Sequence, residues 1–158
     1  MALWNQALIE EIFMHLRKAD MDDALLVLEW RNDEKARMNS FNHEVISKED
    51  HIRWFKKKLI DESCRFFILE DEEGPAGCVR VDVIKDVGEV SYMIAPERRG
   101  RGYGTKSLKL AEEELHNSEI KTMAGFVIGE NHASAKCFEN NRYAKLSAGD
   151  IYCYIKNI

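Results

Sequence analysis

Residues 95 to 105 read APERRGRGYGT, and this segment lies between a predicted strand and a predicted helix. Gly100, Gly102 and Gly104 alternate there, and the absence of a Cβ atom lets backbone N–H groups approach a ligand closely. At the start of a helix, those N–H groups and the helix dipole together attract an anion. The segment therefore predicts a phosphate-binding turn where the sheet meets a helix.

Two familiar phosphate loops do not fit this segment. A P-loop ends in Gly-Lys-Ser/Thr, whereas Thr105 separates Gly104 from Lys106 here. The dinucleotide fingerprint requires G-x-G-x-x-G, whereas the spacing here is G-x-G-x-G. A purely structural glycine turn remains an alternative, but the interleaved arginines Arg99 and Arg101 favour an anion site. Three or four charge-assisted hydrogen bonds, at about 1.5 to 3 kcal/mol each, would anchor a pyrophosphate.

Upstream of this segment, the hydrophobic pattern changes from helical to alternating. Alternation at Ile12, Met14 and Leu16 predicts a first strand. N-cap residues and apolar stripes predict two helices. The first begins at the N-cap Asp20 and has the apolar residues Ala24, Leu25, Leu28 and Trp30. The second begins at the N-cap Ser47 and has the apolar residues Ile52, Phe55 and Leu59. Residues 31–46 between them are predicted to form a polar loop. Three strands of an antiparallel meander follow, at residues 65–70, 76–84 and 88–94.

Downstream of the segment, helices and strands alternate again. Leu108, Ala111 and Leu115 predict a helix, residues 123–128 a strand, residues 131–141 a helix and residues 151–156 a last strand. The order predicts one α/β domain that spans residues 1–158.

Composition excludes several classes of partner. The net charge of −5 argues against general affinity for nucleic acid or for an anionic membrane. The four cysteines form no C-x-x-C pair, so the sequence predicts no metal site and no disulfide scaffold. No run of about 18 apolar residues is present, and we expect a cytoplasmic protein.

The pattern R-x-x-G-x-G, read at Arg99, Gly102 and Gly104, resembles the signature of the GNAT superfamily of acyl-CoA N-acyltransferases. The resemblance implies a mainly antiparallel, mixed central sheet of six to seven strands flanked by about four helices. It also implies acetyl-CoA as cosubstrate, with the backbone of Met93 and Ile94 bound to its pantetheine arm. The residues implied to bind its pyrophosphate are Arg99, Gly100, Arg101, Gly102, Tyr103, Gly104 and Thr105.

A second segment resembles the family pattern N-x-x-S/A-x-x-x-Y-x-x-x-G-F at Asn131, Ser134, Phe138 and Tyr143. By this resemblance, Asn131, Ser134 and Phe138 contact the cofactor. Phe138 replaces a tyrosine that protonates the departing thiolate, and Arg142 replaces a glycine. A thiol with a pKa near 8.5 leaves readily, so losing its acid should cost about 2 kcal/mol. We expect Phe138 chiefly to pack in the core.

The resemblance also implies that the strand before the loop splays from the next strand to admit the cofactor. Acetyl transfer needs a neutral amine, and therefore a base near that point. Glu89 resembles the position where many family members carry a glutamate that acts through water, although a solvated strand-end carboxylate is the alternative. Tyr92 is a second candidate. Asp82 and His51 are lesser ones.

The segment from Trp30 to Trp54 resembles N-acetyltransferases that act on the 4-amino group of UDP-linked aminosugars in pseudaminic acid synthesis. This implies that Arg31 meets a diphosphate, that Asn32 and Asn39 bind sugar hydroxyls, and that Phe41 stacks on a ring. His51 would also contact this acceptor. A simpler interpretation makes Trp30 and Trp54 core residues and pairs Arg31 with a carboxylate.

Two other functions stay open at this point. One is acetylation of protein N-termini, as in the enzymes that modify ribosomal proteins, and the other is a noncatalytic acyl-CoA-binding module. An edge strand could also pair two copies into a homodimer.

Overall fold

The computed structural model describes Asn5, Leu8 and residues 13–158. Its centre is one seven-stranded sheet in the order β1-β2-β3-β4-β5-β7-β6. All neighbouring strands are antiparallel except β4 and β5, which are parallel. The expected α/β class with a mainly antiparallel sheet is therefore confirmed. The strands are β1 (His15–Lys18), β2 (Cys64–Asp71), β3 (Gly74–Ile84), β4 (Val87–Ile94), β5 (Thr122–Ile128), β6 (Ala144–Ala148) and β7 (Ile151–Asn157).

Five α-helices flank this sheet within the described residues, where about four were expected. They are α1 (Ala24–Asn32), α2 (Glu34–Met38), α3 (Lys48–Ile60), α4 (Tyr103–Leu115) and α5 (His132–Asn140). Helix α2 falls in the predicted polar loop. It forms because Asp33, which directly follows α1, accepts a hydrogen bond from the Ala36 N–H at 3.1 Å and so caps a new helix. Strand β6 was also missed.

The N-terminal part departs from its prediction at two places. Ile12 lies outside the described residues, and the described first strand begins at His15. Asp20 caps a short 3-10 turn, Met21–Asp23, that leads into α1. Helix α1 turns Val27 inward and leaves Leu25 52% exposed, so the predicted inner position of Leu25 is wrong.

Two cores lie on opposite faces of strands β2 to β4. Side chains such as Val79, Val81 and Leu108 pack beneath α4 and α5. On the other face, Trp30, Phe55, Phe66 and Ile68 pack beneath α1 and α3. Burial of these strands on both faces fixes their positions relative to the helices.

The parallel pairing of β4 with β5 is short. It covers only Val87 with Thr122, Gly88 with Met123 and Glu89 with Ala124. Beyond Glu89, β4 continues beside β3 and β5 continues beside β7, so the two strands diverge. The sheet therefore has an opening in its middle, and the glycine segment lies beyond the β4 end of that opening.

In the described part of the chain, no helix combines the length and the apolarity needed to cross a membrane.

Candidate active site

The glycine segment has the backbone that a phosphate turn requires. Gly100 and Gly102 have φ of +74° and +79°, a left-handed conformation that other residues adopt only with strain. Around both, no atom lies within 4 Å of where a Cβ would be, so the turn faces open space. Gly102 is the N-cap of α4, which places the helix's first N–H groups at this open turn.

Gly104 serves a different purpose from the other two glycines. A Cβ there would lie 2.7 Å from the Cys137 sulfur and 3.1 Å from the Tyr92 ring. The missing side chain therefore lets α4 approach α5 and β4 closely at the opening.

An ion pair holds the turn from behind. The buried Arg98 donates from Nε to Asp71 at 2.7 Å, and the Tyr103 hydroxyl donates to the same carboxylate at 2.9 Å. Burial opposes ionisation of Asp71, yet the bonds from Arg98 and Tyr103 keep its pKa below the ordinary value. The Tyr103 side chain, expected at the cofactor, is thus a buried anchor, and only its backbone can face a phosphate.

A groove of about 580 Å³ runs along the turn, between α2 and the start of α5. The residues of the predicted cofactor set that line it are Met93, Ile94, Arg99, Gly100, Gly102, Tyr103, Gly104, Thr105, Asn131 and Ser134. Arg99 is paired there with Asp33 of the α2 cap at 2.8 Å. Arg101 is exposed and is not among the described residues that line the groove.

Sequence reasoning missed three cations that line this groove: Arg98, which is paired with Asp71, and Lys35 and Lys136. Lys136 belongs to a helical stripe of α5 that lines the groove together with Ala133, Cys137 and Asn140, so the 3.6-residue period could have indicated it. Lys35 had no comparable signal, because it lies on the unexpected helix α2.

A second cavity, of about 410 Å³, lies on the other side of the opening. Its lining includes Arg31, Asn39, Phe41, His51, Trp54, Arg80, Glu89, Phe126 and Phe138. Asn39, Ser40, Tyr92, Met93, Asn131 and Ser134 line both spaces. A ligand in the groove and a ligand in the cavity would therefore meet where β4 and β5 separate, which is the arrangement that transfer of a group between two substrates requires.

Phe138 packs in the core at the floor of this cavity. It is 2% exposed, its ring stacks on Tyr154 at 5.2 Å between centroids, and Tyr143 meets it edge-on at 5.0 Å. Gly125 of β5 leaves the space that this ring occupies, since a Cβ there would collide with it. Phe138 contributes no hydroxyl, and it lines the cavity rather than the groove.

The four candidate bases differ in their availability. Glu89 is exposed and lines the cavity at the last β4 position that pairs with β5. Asp82 already accepts hydrogen bonds from Lys58 at 2.6 Å and from Arg80 at 2.8 Å. Burial opposes its ionisation, but these bonds keep its pKa below the ordinary value. It is therefore a poor proton acceptor.

Tyr92 and His51 are not suited to be bases either. Burial raises the pKa of Tyr92, so its phenol stays protonated, and its hydroxyl donates to Ser134 Oγ at 3.1 Å. His51 is buried, and its Nε2 donates to the Ala24 carbonyl at 2.8 Å. Burial lowers the pKa of His51, which makes it a neutral structural residue whose ring faces the cavity.

The predicted acceptor residues fall into two groups. Asn39 and the ring of Phe41, which is 61% exposed, face the cavity. Asn32 does not serve an acceptor, because its amide donates to the Ile46 carbonyl and accepts from the Ile46 N–H, both at 2.9 Å. It shapes the 39–46 loop, which is why the predicted contact with sugar hydroxyls is wrong.

Arg31 has an unfilled hydrogen-bonding position. Its Nη2 donates to the Asn42 carbonyl at 2.7 Å, whereas its buried Nη1 has no partner. Among the described residues no carboxylate forms an ion pair with it, contrary to the simpler interpretation. Burial lowers the pKa of Arg31, and repulsion from Arg37 lowers it further. Trp30 is a core residue as that interpretation held, while Trp54 lines the cavity with the Arg80 guanidinium 5.1 Å above its ring.

Comparison with protein families shows the family to which the chain belongs. The family described as "Acetyltransferase (GNAT) domain" matches residues 14–143. The chain belongs to the GNAT acetyltransferase family. As a GNAT acetyltransferase it uses acetyl-CoA as cosubstrate and transfers the acetyl group to an amine.

Three relatives illustrate the range of the family. YwnH of Bacillus subtilis (strain 168), provisionally named a phosphinothricin acetyltransferase, is 30% identical over 140 residues, which cover 84% of this chain and 85% of YwnH. The acetyltransferase PseH of Campylobacter jejuni (strain 81-176) is 23% identical over 120 residues, 75% of this chain and 74% of PseH. The spermidine N-acetyltransferase of Vibrio cholerae, solved with CoA and spermine, superposes with a TM-score of 0.83 at 18% identity, covering 92% and 96% of the chains.

The GNAT acetyltransferase has no cluster of three or more His, Cys, Asp or Glu side chains that could hold a metal ion within its described residues. Its groove brings together the open backbone turn at Gly100 and Gly102 and the cationic side chains of Arg99, Lys35 and Lys136, which are donors of the kind that bind phosphate.

Proposed function

We propose that this acetyltransferase acetylates the amino group of a nucleotide-linked aminosugar, by direct attack in a ternary complex. The observation that carries the proposal is the unpartnered Arg31 Nη1 in an aromatic cavity that opens onto the cofactor groove. The resemblance of residues 30–54 to UDP-4-amino-sugar acetyltransferases supports the same acceptor class.

A buried guanidinium nitrogen without a partner costs free energy that an anionic oxygen would recover. A phosphate of the acceptor provides such an oxygen. Two arginines, Arg31 and Arg80, face the cavity, and Glu89 is the one carboxylate among its described lining residues. A polycation, such as the spermine bound to the Vibrio cholerae protein, would meet more repulsion than attraction in this cavity.

The aromatic side chains favour a nucleotide over a small amino acid. The Phe41 ring is largely exposed at the cavity mouth, and Trp54 faces the interior beneath Arg80. A flat base can stack on such rings, whereas an amino acid has no surface to match them. The similarity to YwnH makes an anionic amino acid of the phosphinothricin type the second candidate acceptor.

Glu89 takes the proton from the attacking amine through a water molecule. Its position at the base of the opening, its exposure, and the commitment of Asp82 to Lys58 and Arg80 support this role. A backbone N–H group near Met93 or Ile94 stabilises the charge that develops on the carbonyl oxygen. A Glu89→Gln variant is therefore expected to have a lower kcat with little change in KM for acetyl-CoA, and an unchanged kcat would remove Glu89 as the base.

A thiol-release assay with a panel of amines tests the acceptor. We expect turnover with aminosugar nucleotides and little with polyamines or peptide amino termini. Turnover with peptide amino termini alone would support the N-terminal acetyltransferase instead. CoA binding without thiol release from any aminosugar nucleotide of the panel would contradict the proposed acceptor class.

Replacing Arg31 tests the basis of the proposal. Arg31→Met should raise KM for the acceptor by about 10- to 100-fold, the loss of one charge-assisted bond, with little change in KM for acetyl-CoA. Arg53→Met, at an exposed site on α3, is the matched control and should leave both constants unchanged. An unchanged acceptor KM in Arg31→Met would contradict the proposal.

A further inference from the structure

We propose that the Tyr92 hydroxyl protonates the departing thiolate of CoA, a function that Phe138 cannot perform in this chain. The inference rests on acetyl transfer at the opening of the sheet and does not depend on which amine is the acceptor.

Tyr92 occupies the place where such an acid is needed. It lies on β4 beyond Glu89, where pairing with β5 has ended, and it lines both the groove and the cavity. Its ring centre is 6.2 Å from that of Phe138. A Cβ on Gly104 would lie 3.4 Å from its hydroxyl oxygen, so the hydroxyl is next to the first turn of α4. The Tyr92 oxygen is therefore at the meeting point of the two ligand spaces.

The surroundings keep a proton on this hydroxyl. Burial raises its pKa, and the ionisable group that contacts it is Cys137 of α5. The other contacts that face it are uncharged: Val79 is its partner on β3, Gly104 approaches from α4, and Ser134 accepts its hydrogen bond from α5. A protonated phenol is a donor and not a base, which fits protonation of sulfur rather than deprotonation of the amine.

The step balances as follows. The amine nitrogen forms a bond to the thioester carbonyl carbon, the carbon–sulfur bond breaks, and its electron pair stays on sulfur. The Tyr92 O–H proton moves to that sulfur, while the proton lost by the amine goes to Glu89 through water. Tyr92 regains a proton from solvent, for which Ser134, hydrogen-bonded at 3.1 Å, offers a hydroxyl relay.

Tyr92→Phe tests the inference and keeps the ring that packs beside Phe138. We expect kcat to fall by roughly 10- to 100-fold, with KM for acetyl-CoA changed less than twofold. Tyr152→Phe removes a hydroxyl from a ring outside both spaces and is the control, expected to keep kcat.

A binding measurement separates this role from a structural one. By calorimetry, wild-type protein should bind CoA more tightly than desulfo-CoA, because the Tyr92 hydroxyl bonds to the sulfur, and Tyr92→Phe should lose this preference. An unchanged kcat, or a sulfur preference that survives in Tyr92→Phe, would overturn the inference. So would an equal loss of affinity for CoA and desulfo-CoA, which would mark Tyr92 as a structural support of the groove. The Arg31 experiment fails or succeeds independently, because it reads the acceptor KM.

Discussion

Arg142 occupies a position where its backbone conformation suits glycine. Its φ is +63°, and it lies two residues beyond the end of α5. The Arg142 N–H bonds to the Glu139 carbonyl at 2.9 Å and the Tyr143 N–H to the Phe138 carbonyl at 3.1 Å, which together form a Schellman motif. The ring contact between Phe138 and Tyr143 is the hydrophobic contact that accompanies this motif. The departure from the family glycine therefore strains the backbone without changing the turn.

Arg142→Gly is expected to stabilise the protein by about 0.5 to 1 kcal/mol, because glycine adopts this φ without strain. Arg142→Ala keeps the Cβ and is the matched control, expected to give no gain. Urea denaturation of the three proteins measures the difference. Equal midpoints for the glycine and alanine variants would show that strain at this residue does not limit stability.

Residue-level chemistry also decided what the sequence could predict. The glycines of the turn can be recognised from the sequence alone, because their alternation and the flanking arginines are local signals. The use of a polar side chain is not local. Asn32 turned out to bind the backbone of Ile46, 14 residues away, while Arg31 beside it kept a free nitrogen. Neighbours in sequence with similar polarity thus differ in function, and only tertiary contacts separate them.

At the scale of elements, α2 connects the two ligand spaces. Lys35 and Ala36 line the groove, Asn39 and Ser40 just after the helix line both spaces, and Phe41 lines the cavity. Its cap residue Asp33 also holds Arg99 of the phosphate turn. The sequence did not predict α2, because an aspartate after a helix can equally end that helix or cap the next one. The missed helix explains why the groove lysine at position 35 was missed too.

Asp33 both caps α2 and pairs with Arg99, and this pairing predicts how α2 affects cofactor binding. Asp33→Asn retains a capping side chain but removes the charge that competes with phosphate for Arg99. We expect it to bind CoA about 2- to 5-fold more tightly, since partly exposed ion pairs of this kind contribute up to about 1 kcal/mol. Calorimetric titration with CoA measures the change.

Asp33→Ala serves as the comparison for Asp33→Asn. It also frees Arg99, but it loses the cap and should lower the free energy of unfolding by about 1 kcal/mol. Weaker CoA binding by Asp33→Asn would mean that the ion pair orients Arg99 for the phosphate instead of competing with it.

At the scale of the whole molecule, buried and half-buried ion pairs join different elements of the fold. Asp23 pairs with Arg17 of β1, Asp71 with Arg98 of the phosphate turn, and Asp82 with Lys58 of α3. Burial opposes ionisation at all three carboxylates, yet hydrogen bonds from the cations keep the pKa of each below its ordinary value. The pairs therefore favour the folded state only while these carboxylates are ionised.

This predicts acid lability with a definite sign. The pKa values are lower in the folded chain, so the unfolded chain takes up protons first, near its ordinary value of about 4. The stabilisation is fully present above that pH and is lost as the pH falls toward the folded pKa values. Thermal denaturation between pH 7 and pH 3 should show a falling Tm. Asp71→Asn should lower the free energy of unfolding at pH 7 by roughly 1 to 3 kcal/mol, and with it the Tm. The Tm of this variant should also depend less on pH in the acidic range. A Tm independent of pH below 5 would contradict this.

The opening between β4 and β5 gives the sheet a third edge, in its interior. An exposed edge strand usually invites pairing with other protein chains, which is a route to aggregation. Here the unpaired β4 backbone lies inside a cleft between two ligand spaces, beneath α4 and α5. We expect a slender, amide-bearing arm of the cosubstrate to enter that cleft and to bond to this edge of β4. A cosubstrate bound at this edge would then also keep it from pairing with a strand of another protein chain.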